Sequence, residues 1–270
     1  MRCLTVILAG ILMGSLAIFV RSIGTNPILV TFLRLSFGFI FMLPLIRRIR
    51  IEKIGKVFLL ALVNTLTILF YISSIQLIEV ATSALLLYMA PIYVIVILML
   101  RGEEVERTSI LALPISMLGL YLMLSPYGTI SIGILCGLLS GFLYAIFFIL
   151  VKEMRQYMSS LDITFLNLFF STVFLSPAAF FYMEELIRVL SFKFIWIVGL
   201  GIIPTSLAFT ILNYGIKYCR TEKAPLLALA EPLSAGFFGY IVFNEILTMK
   251  QLIGAFMIIL SIFIVLHGKE

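Results

Sequence analysis

The chain has 270 residues, 63% hydrophobic and 12% charged, with a mean hydropathy of +1.21; an ordinary globular chain is about 45–50% apolar and about 25% charged. So much apolar surface excludes a water-soluble fold, and no polar stretch approaches the roughly fifty residues that a separate catalytic or nucleic-acid-binding domain needs. The net charge of +6 does not point to nucleic acid, because the basic residues sit in the gaps between apolar runs.

In chain order the apolar runs fall at 4–20, 28–46, 56–75, 81–100, 108–125, 130–151, 162–183, 194–216, 224–243 and 249–267. Each is continuous and close to the roughly 20 residues a spanning helix takes, whereas a barrel strand would alternate apolar and polar residues. The first run, behind Met1 and Arg2, lacks a small-x-small cleavage site before Arg21 and reads as a retained span. Trp196, opening the eighth run, reads as an interfacial anchor.

With the N-terminus inside, the cytoplasmic connections carry 14 of the 19 Lys and Arg residues: Arg2, then Arg47, Arg48, Arg50, Lys53 and Lys56, then Arg101 and Arg107, Lys152 and Arg155, Lys217, Arg220 and Lys223, and Lys269. The outer side carries 4, Arg21, Arg188, Lys193 and Lys250, and Arg34 lies within a span. Lys and Arg are retained on the cytoplasmic side of short loops. The bias therefore predicts a multi-pass protein of the cell membrane with both termini in the cytoplasm.

The segment TFLRLSFGFIFMLP, Thr31 to Pro44, recurs 133 residues later as TFLNLFFSTVFLSP, Thr164 to Pro177, with seven of fourteen positions identical. Gly10 and Gly14 match Gly137 and Gly141 at an offset of 127, and Pro91 and Glu104 match Pro232 and Glu245 at an offset of 141. Offsets that rise along the chain are those of a duplicated unit with loop insertions. The predicted fold is an all-α membrane protein of ten transmembrane helices, arranged as two five-helix repeats, 1–127 and 128–270. An odd number of spans per repeat inverts the second in the membrane, an architecture that places a substrate site between the halves near the midplane.

Gly14-Ser15 late in the first span, Pro27 followed by Arg34, AxxLLLYMAPIY with RGEE behind it, and APLLALAEPL followed by FNEILTMKQLIGA together resemble an EamA-type member of the drug/metabolite transporter superfamily. The resemblance covers nearly the whole chain and implies ten helices around a central cavity and export of amino acids or other small metabolites. Met13 stands where the family often has an aromatic residue, and Arg21 where it often has Lys.

Glu231 is the only carboxylate deep in an apolar run. A charge there costs on the order of 3 kcal/mol on insertion scales, so two readings stand: a proton-coupling or substrate-binding carboxyl, or a neutral acid bonded to a neighbouring helix. Pro91 and Pro232 each lack an amide proton and displace the carbonyl four residues back, Leu87 and Ala228, which predicts kinks in spans four and nine. Candidate substrate-binding residues are Asn64, Thr67, Tyr88, Tyr144, Asn213, Tyr214 and Glu231, with Tyr71, Ser73, Ser74, Thr205 and Ser206 as further polar or hydroxyl-bearing residues able to face a cavity. Arg34, about 10 Å of helix rise inside span two, reads as a structural or lipid contact, its stem snorkelling to the outer headgroups. Glu103, Glu104 and Glu106 read as a solvated loop, Glu245 as a helix-end group, and Gly10, Gly14, Gly133, Gly137 and Gly141 as close-packing positions.

Cys3, Cys136 and Cys219 form no close pair or CxxC, so no disulfide framework or metal site is expected. The one histidine, His267, and the one aspartate, Asp162, fall outside the interior of every span, against the needs of an intramembrane protease. There is no phosphate loop of the GxxxxGK type. The expectation is a secondary transporter and not an enzyme, without cofactor. Its partners are a small-molecule substrate and membrane lipids, with no nucleic acid. Export of an amino acid or related metabolite by alternating access, with Glu231 as the proton-coupling group, is the leading reading; a multidrug, nucleoside or sugar permease, or a channel or facilitator without ion coupling, is the alternative.

Overall fold

The computed structural model describes residues 3–46, 49, 52–78, 80–124 and 132–268. Arg2, Arg47, Arg48, Arg50 and Lys269 of the charge count, and the boundary between the two expected repeats, lie outside the described residues. Among the described residues there is no strand, and ten helical stretches are long and apolar enough to cross a membrane. They comprise α1 (Leu4–Gly14) with α2 (Leu16–Ile23), α3 (Pro27–Met42), α4 (Ile54–Leu77), α5 (Val80–Leu87) with α6 (Ala90–Leu100) and α7 (Arg107–Leu124). The rest are α8 (Ile132–Met154), α9 (Ser160–Phe180), α10 (Met183–Gly201) with α11 (Ala208–Tyr218), α12 (Lys223–Leu227) with α13 (Ala230–Phe243), and α14 (Met249–His267). Large apolar residues such as Leu100, Phe192 and Ile259 remain on the outside. That surface suits lipid, where every backbone polar group must be satisfied within the helix.

Local chemistry sets the boundaries. Pro27 occupies the first turn of α3, where its missing amide costs nothing, and the Asn26 side chain accepts from Ile28 N at 2.9 Å. Thr248 and Gln251 form a capping box on α14, and Asn244 ends α13 in the left-handed conformation. The eighth stretch departs from the sequence reading. It begins at Met183, eleven residues before the apolar run, because Glu184, Glu185 and Arg188 form an amphipathic first part, separated from the apolar part by non-helical backbone at Lys193. Between α10 and α11 the chain makes a π-helical turn, Ile202–Leu207, containing Pro204.

Spans four and nine are both broken, α5 from α6 at Tyr88–Met89 and α12 from α13 at Ala228–Leu229. The hydrogen bonding at the two breaks is the same in kind: Met89 N donates to Leu86 O at 3.3 Å, and Leu229 N to Leu226 O at 3.3 Å. A glycine on a neighbouring helix lets each break be approached closely. A Cβ at Gly141 would lie 2.3 Å from Leu86 O and one at Gly10 would lie 3.3 Å from Ala228 O; further along α13, one at Gly14 would lie 1.9 Å from Ser234 Oγ and 2.7 Å from Ala235 N. Because the Gly14 clash is partly with backbone, Gly14→Ala is expected to force α1 off α13 and to destabilise the protein by about 1–3 kcal/mol, read as a lowered thermal midpoint in detergent.

The cysteine expectation is corrected. Cys3 and Cys219 form a disulfide with Cα atoms 5.2 Å apart, across a sequence separation of 216. Only the packing of α1 on α11 brings these residues together, which no spacing pattern reports. Closing so long a loop restricts the unfolded chain, so reduction is expected to lower stability by about 2–4 kcal/mol, and Cys3→Ser to reproduce the loss under non-reducing conditions.

Candidate functional site

A cavity of about 1060 Å³ lies between α1–α2, α4, α5, α13 and α14. It reaches the end of the bundle where α2, α7 and α13 finish and α5 begins: Arg21, Val80, Leu124 and Glu245 all line it. At that mouth Arg21 pairs with Glu245 and stacks over the Phe243 ring at 4.6 Å. Both partners are half exposed. An exposed pair of this kind contributes little to stability.

Deeper in, Tyr71, Tyr88, Ala230 and Pro232 form the wall. Glu231, between the last two, reaches the Tyr88 hydroxyl with its carboxyl. Arg34 comes to the same place from α3. Its Nε donates to Thr205 Oγ1 at 2.9 Å, its Nη2 to Pro204 O at 3.2 Å, and its guanidinium lies 5.6 Å from the centre of the Phe209 ring. The charges of Arg34 and Glu231 act on each other and on the hydroxyl of Tyr144, which packs against Phe147 and Phe148. The break at Ala228–Leu229 is what turns Glu231 into the first turn of α13. The π-helical turn presents Pro204 O and Thr205 to Arg34, and the Thr205 hydroxyl in turn donates to Leu200 O at 2.7 Å.

Three of the seven candidate residues, Tyr88, Tyr144 and Glu231, are thus brought together, and Tyr71 joins them within the reach of the Glu231 charge. The other four are not. Asn64 donates to Ser171 Oγ at 3.3 Å, Thr67 bonds Val63 O in its own helix at 2.7 Å, and Asn213 donates to Thr164 Oγ1 at 2.8 Å. All three are buried in helix packing. Tyr214 is 37% exposed and lies against Tyr218 on the outer surface. Ser74 is tied to Ser83 and Gly133 O, and Ser206 bonds back within its own turn.

Arg34 corrects the reading of a lipid-facing stem. A helix position alone does not say which way a long side chain points, and the partners of Arg34, Thr205 and Pro204, lie 171 and 170 residues away in sequence.

The opposite end of the bundle is closed by charge. Lys223 Nζ meets Glu106 Oε2 at 2.8 Å, Arg220 Nε meets Glu222 Oε1 at 3.1 Å, and Glu222 accepts from Glu106 N at 3.2 Å. Lys152 Nζ donates to the carbonyls of Ile216 and Lys217 at the end of α11 and of Cys219 just beyond it. The expected solvated loop is therefore wrong at Glu106, whose side chain is 8% exposed; its cationic partners, Lys223 and Arg220, lie more than a hundred residues away in sequence. Burial pushes the Glu106 carboxyl up, but hydrogen bonds from Lys223 and Thr108 and the charges of Lys223 and Arg220 outweigh it and hold the group below the ordinary carboxylate value.

Fold and site together define a polytopic helical membrane protein with a cavity that reaches one end of the bundle, Glu231 and Arg34 behind its wall, and an ion-pair network at the other end. Residues 1–125 and, separately, 131–267 match the EamA-like transporter family, and the chain belongs to that family. It is accordingly a membrane transporter of small molecules. It is 46% identical over 260 residues to a protein of Archaeoglobus fulgidus described as an uncharacterized transporter, covering 96% of this chain and 94% of that one. It is also 30% identical over 71 residues, 26% of this chain and 91% of the relative, to the putative permease-like protein YdzE of Bacillus subtilis. A protein of known crystal structure shares the fold with a TM-score of 0.78 at 17% identity, over 97% of this chain and 94% of that one.

Proposed function

We propose that the chain is a secondary transporter that exports a small zwitterionic metabolite, an amino acid or close relative, by alternating access, with Glu231 as the proton carrier. The observation that carries this reading is the opposed pair behind the cavity wall formed by Tyr88, Ala230 and Pro232. Glu231 is held by Tyr88 and Arg34 by Thr205 and Pro204 O, and the two act on each other through space. An α-amino acid presents the complementary pair of charges. Its carboxylate fits the planar fork of Arg34, which favours two parallel hydrogen bonds, and its ammonium group fits the carboxylate of Glu231.

Alternating access is supported by the matched breaks at Pro91 and Pro232, which offer a hinge in each half, and by the separate family match of each half. Two inverted repeats, 1–127 and 128–270, account for both. On the 14 to 4 bias of basic residues both termini are cytoplasmic, the cavity faces outward and the charged closure faces the cytoplasm. A C-terminal reporter active only outside the cell would overturn that orientation.

The substrate is tested by thermal stabilisation of the purified protein with amino acids, nucleosides, sugars and cationic drugs. Amino acids are expected to raise the midpoint, and Arg34→Met to abolish the rise. Stabilisation by nucleosides, sugars or drugs alone would replace the amino-acid assignment with a different permease.

A further inference from the structure

The inner face of α9 carries a row of polar side chains, Thr164, Asn167 and Ser171, each wholly buried. The ends of the row are satisfied, Thr164 by Asn213 of α11 and Ser171 by Asn64 of α4. Its middle is not. Both polar atoms of the Asn167 carboxamide, and Oδ1 of Asn213, are buried without a hydrogen-bond partner. A carboxamide offers two donors and two acceptor lone pairs, and native interiors rarely leave such groups unfilled. An unfilled one raises the free energy of the conformation that contains it.

The position of the row is as informative as its composition. Asn167 is seven residues from Ser160, about 10 Å of helix rise from the closed end, and Ser171 about 16 Å. The row therefore runs from the closed end of the bundle to mid-depth, packed against α4 and α11, while the cavity occupies the opposite end. Asn167 is also the residue that the internal sequence match aligns with Arg34.

We propose that Thr164, Asn167, Ser171, Asn213 and Asn64 line the second half of the translocation path, closed in this conformation, which hydrates and passes a polar substrate when the charged end opens. This rests on the alternating-access reading above. In the closed state these groups bond one another or nearby backbone carbonyls, except for the Asn167 carboxamide and Asn213 Oδ1. In the open state water and the polar groups of the substrate fill the vacant donors and acceptors, which compensates for breaking the closure.

The test uses full-length protein in detergent, carrying Cys136→Ala, with a water-soluble thiol reagent. Asn167→Cys is expected to be unreactive at rest and to react about tenfold faster or more once Lys223→Met or Glu106→Gln releases the closure, a shift well within what a two-state equilibrium allows. Tyr71→Cys, in the open cavity, is expected to slow in the same variants. Slowing at 71 with no gain at 167 overturns the proposal and leaves alternating access standing; no change at either position overturns both. Leu168→Cys, wholly buried on another face of α9, is expected to stay unreactive, and labelling there as fast as at 167 would mean general loosening and would also overturn the assignment. Independently, Asn167→Leu, which removes the unpaired amide, is expected to raise the thermal midpoint and to depress transport in liposomes. An unchanged or lower midpoint would mean that the amide is satisfied at rest, and the proposal fails.

Discussion

Replacing Glu231 with glutamine is expected to leave a folded protein that still exchanges substrate across a membrane but no longer drives net transport with a pH gradient. Glutamine keeps the shape of the neutral acid and its ability to bond Tyr88, so neither the α12–α13 break nor the cavity wall should move. It has no proton to release. No other carboxylate lies in the interior of that span, so none is placed to take over. Under the proposed mechanism the acid carries its proton while the site is enclosed and releases it when the cavity hydrates. Net transport driven by an imposed pH gradient should fall to background in Glu231→Gln while counterflow of labelled substrate persists. Undiminished pH-driven transport would assign Glu231 to structure and move the coupling to another ion.

Breaking the charged closure is expected to have the second largest effect. In Lys223→Met the Glu106 carboxylate keeps its burial and loses its closest cation, and removing one partner of a buried pair costs about 3–5 kcal/mol. The thermal midpoint should fall, and the balance should move towards the conformation open at the end now closed. Adding Glu106→Gln should recover much of the stability, because no uncompensated charge is then left behind. A Lys223→Met protein as stable as the parent would show that the pair contributes nothing to the closure. The pH dependence follows in sign. The folded-state value for Glu106 lies below its unfolded value, so its contribution is complete above the ordinary glutamate range and is lost as the pH falls through the lowered value. The closure should be insensitive to pH near neutrality and loosen in acid, and Glu106→Gln should remove that acid-sensitive component.

The membrane class, the ten spans and the two helix breaks were legible in the amino-acid order because each depends on local chemistry. A run of apolar residues matched to bilayer thickness makes a span, and a proline inside it removes a backbone hydrogen bond whatever surrounds it. Glu231 was legible for the same reason, as a lone carboxylate in an apolar helix stands out by composition. Tertiary structure decided what depends on direction and on distant partners. Whether Arg34 turned to lipid or to Glu231 depended on the rotation of α3 and on the placement of the turn that carries Pro204 and Thr205. Asn64, Thr67 and Asn213 have the chemistry of binding residues but meet α9 or their own helix, and polar side chains of that kind serve packing and binding equally well. Glu106 and Lys223, and Cys3 and Cys219, are neighbours only because helices far apart in the chain end at the same place, and no periodicity records that. The sequence by itself determined where the chain crosses the membrane and where its helices break. Only the packing of those helices decided which polar groups share the cavity and which close the other end, because burial and pairing depend on three-dimensional neighbours.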